Sequence, residues 1–326
     1  MHAVRQYEVG AADTLLFEEA PDPVAGPGQL LIRVKAAGVH LLDAAIRAGT
    51  AGGHPFADPE LPMTPGREVA GVVEGLGPGV DGSWLGRRVV THLGIASGGY
   101  AELAVREAEA VHPVPDGLGD AAAVALVGTG RTAMGILDVA EPTPDDVVLV
   151  TAAGGGVGSL LVQAAANAGA VVVAAASGGK LASVKRVAPQ AITVDYTRPD
   201  WADRVRADLA GREVTLALDG VGGTAGRDAL ELLGTGGRLV MFGWSSGEVT
   251  RLDADDLYAR CLQATVALGP RLMARRGIRA LETAALAEGA AGRFIALTQE
   301  FPLAEAAAAH VALEDRSSLG KVVLVP

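Results

Sequence analysis

The sequence predicts an α/β protein in two parts: a doubly wound parallel sheet wrapped by helices, and a smaller β-rich domain. Three observations carry this expectation. The first third holds short runs of alternating apolar and polar residues between Pro and Gly clusters. From about residue 120, apolar strands alternate with helix-length segments. The chain has 326 residues, enough for two buried cores.

In the first third, Gln29–Lys35 alternates in the manner of a half-buried strand, and Val69–Glu74 and Arg88–Thr91 read as further short strands. Turn signals crowd 21–27, 49–59, 62–66 and 75–82, which implies a compact barrel-like unit. Beyond residue 120 the expected strands are Val147–Val150, Val171–Ala174, Ile192–Val194, Val214–Leu218 and Arg238–Phe242. The helical segments between them are Ser159–Ala168, Lys180–Val187, Trp201–Leu209 and Gly226–Leu233. A helical run, Leu303–His310, precedes a last strand, Lys321–Val325, expected to rejoin the first domain.

Composition removes several classes of function. Hydrophobic residues make up 49% and charged residues 20%, as in a folded globular chain. The net charge of −11 argues against a nucleic-acid partner, because phosphate binding needs concentrated positive charge. Cys261 is the single cysteine, which excludes a disulfide framework and a multi-cysteine zinc site. Residues 147–179 carry no charge, but Gly154–Gly156, Gly158 and Gly169 interrupt them, so a buried βαβ unit is expected and not a membrane span. The first eight residues have no apolar run of the signal-peptide kind, and a cytoplasmic location is expected.

The strand Val147–Val150 leads into Thr151-Ala-Ala-Gly-Gly-Gly-Val-Gly158 and then a helix. Strand, glycine turn and helix together form the context of a dinucleotide-binding Rossmann fingerprint. Without side chains the backbone can approach a pyrophosphate, and the helix amides and dipole meet its charge. Gly155, Gly156, Val157 and Gly158 are the candidate phosphate-binding residues, with Gly155 and Gly158 as the close-approach and packing positions.

A site for NAD usually carries an acid about 20 positions further on. Here the second strand ends in Ala176-Ser177-Gly-Gly-Lys180, with no acid. Ser177 can donate a hydrogen bond and Lys180 can pair with a 2′-phosphate, which points to NADPH. The alternative for Lys180 is an ordinary solvated lysine at a helix start. Tyr196, after the third strand, could reach the adenosine end.

Several segments together resemble the medium-chain dehydrogenase/reductase superfamily, most of all its zinc-independent quinone oxidoreductase branch. They are Gly38–Asp43 with Arg47 and Gly49, Pro65–Val73, Gly86–Val89, Gly98–Glu102, Thr132–Ala133, Ala152–Gly158, Asp219–Gly223, Gly236–Gly243, and Arg316 with Gly320–Val323. The series runs in the family's order across nearly the whole chain. The resemblance implies a GroES-like catalytic domain, residues 1–122 completed by 270–326, with a Rossmann domain, 123–269, inserted. It implies a nicotinamide and substrate cleft between them, with Thr132 near the carboxamide. Phe242, Gly243 and Trp244 would form the turn beside the nicotinamide half, and Arg316 and Lys321 would return toward the cofactor. A homodimer is implied, paired through the edge strand Leu262–Leu268.

Zinc-dependent relatives have Cys near the position of His40 and a His-Glu pair where Arg67-Glu68 stands. With those ligands replaced, no metal is expected; His40, Glu68 and His92 could approach one another, but Arg67 would bring a repelling charge nearby. Without a Lewis acid, hydride must pass to an acceptor that is already electron-poor, a quinone or a double bond conjugated to a carbonyl or thioester. Most of the branch has Asn at the position of His40 and often Tyr at that of Ala51. His40 could donate to the developing oxyanion, or pack against the cofactor ribose. Arg67 could stabilise that oxyanion or attract an acidic substrate, or face the surface or a cofactor phosphate. His54 and His92 read as ordinary loop or strand-end residues, and Cys261 as a buried structural thiol. The expected activity is NADPH-dependent reduction of a quinone; the alternatives are an enoyl or alkenal reductase and a noncatalytic NADPH-binding protein.

Overall fold

The computed structural model describes residues 1–52, 60–94 and 97–326; His54 lies outside them. The chain forms two compact units, Met1–Gly128 with Thr298–Pro326, and Thr129–Leu297.

The first unit begins with a hairpin of β1 (His2–Gln6) and β2 (Leu15–Glu19). Then come β3 (Gln29–Val39), α1 (Leu41–Arg47), β4 (Glu68–Leu76), β5 (Arg88–His92), β6 (Leu103–Glu107), β7 (His112–Pro113) and α2 (Asp120–Ala125). Alternation along β3 turns Leu30, Ile32 and Val34 into the core and leaves Arg33 and Lys35 outside. From Ala36 to Val39 the strand is buried throughout. A π-helical turn, Leu126–Gly130, leads from α2 into the second unit's first helix.

The second unit contains α3 (Arg131–Ala140), β8 (Val147–Val150), α4 (Gly156–Asn167), β9 (Val171–Ala176), α5 (Leu181–Val187), β10 (Ile192–Asp195), α6 (Trp201–Leu209), β11 (Val214–Asp219), α7 (Gly223–Glu231), β12 (Leu233–Met241), α8 (Ala254–Arg260), β13 (Gln263–Val266) and α9 (Ile278–Ala290). Its six strands are parallel in the order β10-β9-β8-β11-β12-β13. The central strand β8 is buried over its whole length, as its uninterrupted Val/Leu run requires of a sheet covered on both faces. This is the doubly wound arrangement of the Rossmann fold. Its cluster of buried residues includes Leu149, Val173, Trp201, Val205 and Leu239.

The chain then returns to the first unit through β14 (Thr298–Pro302), α10 (Ala306–Glu314) and β15 (Lys321–Val325). The strand order there is β14-β15-β3-β4-β5-β7, with β6 also on β3. The two neighbours share one side of the long strand: β6 pairs with residues 29–33 and β15 with residues 37–39. The helix from residue 120 to 140 is long and apolar enough to cross a membrane, and most of it is buried within the protein.

Three details differ from the sequence expectation. The second unit extends to Leu297 and not to 269, because α9 lays Leu281, Ala285 and Leu286 inward and packs on α3. The strand expected at Arg238–Phe242 begins at Leu233, with Gly236 at φ 77° accommodating an irregular stretch. Cys261 is exposed, which corrects its reading as a buried thiol. It ends α8 in the left-handed conformation, φ 53°, and its neighbour Leu262 is the residue turned into the core.

Candidate active site

The phosphate loop lies at the carboxyl ends of the strands in the second unit, where ligands of open α/β sheets bind. Ala153 N–H donates to Ala175 at the end of β9, and Thr151 N–H to Leu218 at the end of β11. The left-handed turn is made by Ala152, φ 50°, and not by a glycine. Gly155 caps α4, and Gly156, Val157 and Gly158 form its first turn. A Cβ on Gly158 would lie 2.2 Å from the Ala152 carbonyl oxygen, so close packing requires glycine there. A Cβ on Gly155 would meet that same oxygen only at 3.3 Å and no other atom within 4 Å, leaving a face open for a phosphate.

Lys180 is brought to this loop. A Cβ on Gly154 would lie 2.7 Å from Lys180 Cβ and 2.9 Å from its Cδ, so the lysine stem rests on the glycine backbone. Ser177 opens the tight turn that ends at Lys180, and Tyr196 N–H donates to Ala176 at 3.3 Å. Ser177, Lys180 and Tyr196 therefore gather around the end of β9. One acid stands with them that the second strand did not disclose. Asp195, at the end of β10, would lie 2.6 Å from a Cβ on Gly178. Its Oδ1 is engaged by the Thr197 amide at 3.0 Å and hydroxyl at 2.6 Å.

Asp219 organises the next strand end. Fully buried, it accepts from Thr151 Oγ1 at 2.7 Å and from the amides of Val221 and Gly222 at 3.0 and 3.2 Å. Thr250 donates to its other oxygen. The Phe242 amide donates to the Asp219 carbonyl, and the Phe242 ring lies against Gly220, where a Cβ would be 2.5 Å from a ring carbon. Gly243 sits over Gly220 in the same turn, and Trp244 is 52% exposed. Thr132 is on the first turn of α3 and half-buried.

The first unit contains a buried cluster of ionisable side chains around Glu68. Glu68 starts β4, where register pairing sets it opposite Gly38 of β3 and His92 of β5. Its carboxylate is completely buried. His40 Nε2 is 2.7 Å from Glu68 Oε1, and Lys321 Nζ is 2.8 Å from Oε2. Two glycines make the space: a Cβ on Gly128 would lie 1.4 Å from Oε1, and one on Gly38 would lie 2.4 Å from Oε2. Burial alone would raise the Glu68 carboxyl, but the charges of His40 and Lys321, with His92 beyond, hold it well below the usual carboxylate range. His92 is an edge-on neighbour of His40, with ring centroids 6.4 Å apart, and its Nδ1 accepts from the Gly94 amide.

Arg67 is buried, with Nη1 donating to Asp43 Oδ1 at 3.1 Å. Asp43 also accepts from the His40 amide at 2.8 Å, which fixes the start of α1. Arg316 is exposed at the end of α10, in the left-handed conformation that stops the helix. Lys321 is turned inward onto Glu68.

Comparison with known proteins agrees with this architecture. Residues 26–116 match the alcohol dehydrogenase GroES-like domain, and residues 188–324 match the zinc-binding dehydrogenase family model. A 2-haloacrylate reductase of Burkholderia sp is 33% identical over 98% of this chain and 97% of its own. A quinone oxidoreductase of Pseudomonas aeruginosa is 31% identical over 97% of each. Among solved structures, mycobacterial Rv1454c complexed with NADPH has TM-score 0.82 and 34% identity, and Escherichia coli quinone oxidoreductase complexed with NADPH has TM-score 0.83 and 28% identity; each covers 100% of both chains. The chain belongs to the quinone oxidoreductase branch of the medium-chain dehydrogenase/reductase superfamily. It has an oxidoreductase fold in which a GroES-like unit accompanies a Rossmann unit.

The zinc in the name of one family model does not fit the residues here. Both Glu68 oxygens face His40 and Lys321, and the lysine ammonium brings a fixed positive charge. Among the described residues no three His, Cys, Asp or Glu side chains are arranged to hold a metal.

Proposed function

We propose that the protein is an NADPH-dependent reductase of quinones. The observation that carries this is Lys180 lying across the glycine loop at Gly154, where one ammonium serves the adenosine end of a dinucleotide whose diphosphate meets Gly155–Gly158. Ser177 and Tyr196 complete that end. Asp195 would favour ribose hydroxyls, and hence NADH, but one of its oxygens is engaged by Thr197. The NADPH complexes of two relatives point the same way. Thr132, Phe242, Gly243 and Trp244 are assigned to the nicotinamide half, and Arg316 to the cofactor.

When bound, NADPH supplies a hydride, and the acceptor takes up that hydride and a proton. The protein's part is to orient the acceptor and stabilise the oxygen on which charge develops. His40 is the assigned donor for that oxygen; its Nε2 is sealed from solvent against Glu68, so the donation falls to Nδ1 of a side chain that as a whole keeps 27% exposure. Arg67, tied to Asp43, holds the start of α1 and with it His40. The assembly is a homodimer paired through β13, an exposed edge of the parallel sheet. The protein works in the cytoplasm on small electrophiles, with no nucleic-acid or membrane partner.

A second reading, reduction of a conjugated double bond, is favoured by the full-length match to a 2-haloacrylate reductase. Oxidation of NADPH is followed with a naphthoquinone, an enoyl thioester and 2-chloroacrylate. Turnover of the naphthoquinone above the others supports quinone reduction; preference for either alkene establishes the second reading. NADPH binding without turnover of any acceptor overturns both in favour of a noncatalytic binding protein. In the active enzyme, His40→Ala lowers turnover about 10–100-fold with little change in NADPH affinity.

A further inference from the structure

We infer that Lys321 is a positioning residue that sets the charge state of His40 through the carboxylate they share. The inference concerns the protein alone; its consequence for catalysis rests on the proposed role of His40. Glu68 lies between two cation-forming groups, with His40 on Oε1 at 2.7 Å and Lys321 on Oε2 at 2.8 Å. The carboxylate is inaccessible to water, and the Lys321 side chain keeps only 5% exposure. Gly38 and Gly128 leave it no room to rotate away.

A buried carboxylate needs about one compensating positive charge, because an unpaired charge in a low-dielectric interior is costly. Lys321 supplies that charge permanently. His40 can then face Glu68 as a neutral imidazole, with Nε2 at 2.7 Å from Oε1, and gain or lose its second proton without stranding a buried anion. Without the Lys321 ammonium, the whole compensation of the buried carboxylate would fall on His40. The ionisable groups around His40 are Glu68 on β4, Lys321 on β15, His92 on β5, and Asp43 on α1, itself paired with Arg67. Of these, Lys321 is the fixed cation on the carboxylate that His40 touches. The strong downward hold on the Glu68 carboxyl fits its being ionised between the two.

The test reads the imidazole directly. The chain has six histidines, and isotope-labelled histidine in the full-length protein gives a separate NMR titration for each, with His40 assigned by its loss in His40→Asn. In Lys321→Met the His40 midpoint rises by about one pH unit or more, a tenfold change in proton affinity, and Lys321→Arg restores the parental midpoint. Glu68→Gln, which keeps the shape and leaves Lys321 uncompensated, lowers the midpoint by a similar amount. If the methionine variant does not fold, Lys321→Gln, which also removes the charge, serves in its place. A His40 midpoint unmoved in whichever of the two lysine variants folds overturns the inference, whatever the enzyme's activity. The pH profile of turnover is recorded on the same samples. If the NMR midpoint moves and the profile does not, the inference stands and the proton-donor role of His40 falls.

Discussion

The Tyr100 hydroxyl lies 3.1 Å from His310 Nε2, with both side chains sealed inside the β-rich unit. The same hydroxyl reaches Asp43 Oδ2 at 3.4 Å, which links α10 to the base of α1. Burial pushes the His310 imidazole down to about 4, so it is neutral in the folded protein at ordinary pH, and burial pushes the Tyr100 phenol well up.

This makes stability pH-dependent in a defined window. In the unfolded chain His310 titrates near 6.5, so below that pH the unfolded state binds a proton that the folded state refuses. The contribution of His310 is complete above about 6.5 and is lost as pH falls toward 4, amounting to about 3 kcal/mol in all. Urea unfolding at pH 7 and pH 4.5 should show His310→Gln about 2 kcal/mol less acid-sensitive than the parent. Equal sensitivity would mean that His310 is not the group that titrates.

Gly128 is a steric requirement of the buried carboxylate, since a methyl there would lie 1.4 Å from Glu68 Oε1. Gly128→Ala should destabilise the protein by roughly 1–3 kcal/mol. In a Glu68→Ala background the penalty should fall by about half or more, and a double-mutant cycle by urea unfolding measures the coupling. Additive effects would show that the two positions do not collide.

Lys180→Ala should weaken NADPH binding about 10–100-fold and leave NADH within about twofold, as expected for loss of a charge-assisted contact to the 2′-phosphate alone. Titration of both cofactors by fluorescence decides it. Equal losses would move Lys180 from the 2′-phosphate to a part common to both dinucleotides.

Arg67→Met removes the cation from a pair whose two side chains are almost wholly buried. Stability should drop by about 3–5 kcal/mol, and the KM values of anionic and neutral acceptors should change alike. A selective rise in KM for 2-chloroacrylate with unchanged Tm would instead place Arg67 at the substrate.

The Rossmann half was legible because period and punctuation are local. Val147–Val150 is apolar throughout, preceded by a Pro/Asp turn and followed by the glycine loop, and Trp201–Leu209 has the spacing of one helix face. The phosphate loop followed from the strand and helix around it, although its left-handed residue is Ala152, a position composition would not choose. The acid–base cluster was much less accessible. His40 stood out by resemblance, but its partners Glu68 and Lys321 lie on other strands and meet it only through sheet register. Gly128 carries no signal in the sequence, and only the carboxylate beside it explains the missing side chain. Cys261 misled because a helix was expected to bury it, whereas the turn after the helix points it outward.

The position of β15 between β14 and β3 has a consequence for biosynthesis. A ribosome delivers residues 1–128 long before residues 321–325, so the first unit must wait with a gap in its sheet and with His40 alone beside its interior acid. The last strand closes the gap and brings the lysine ammonium in one movement, so completion of the sheet and arrival of the second partner of Glu68 coincide.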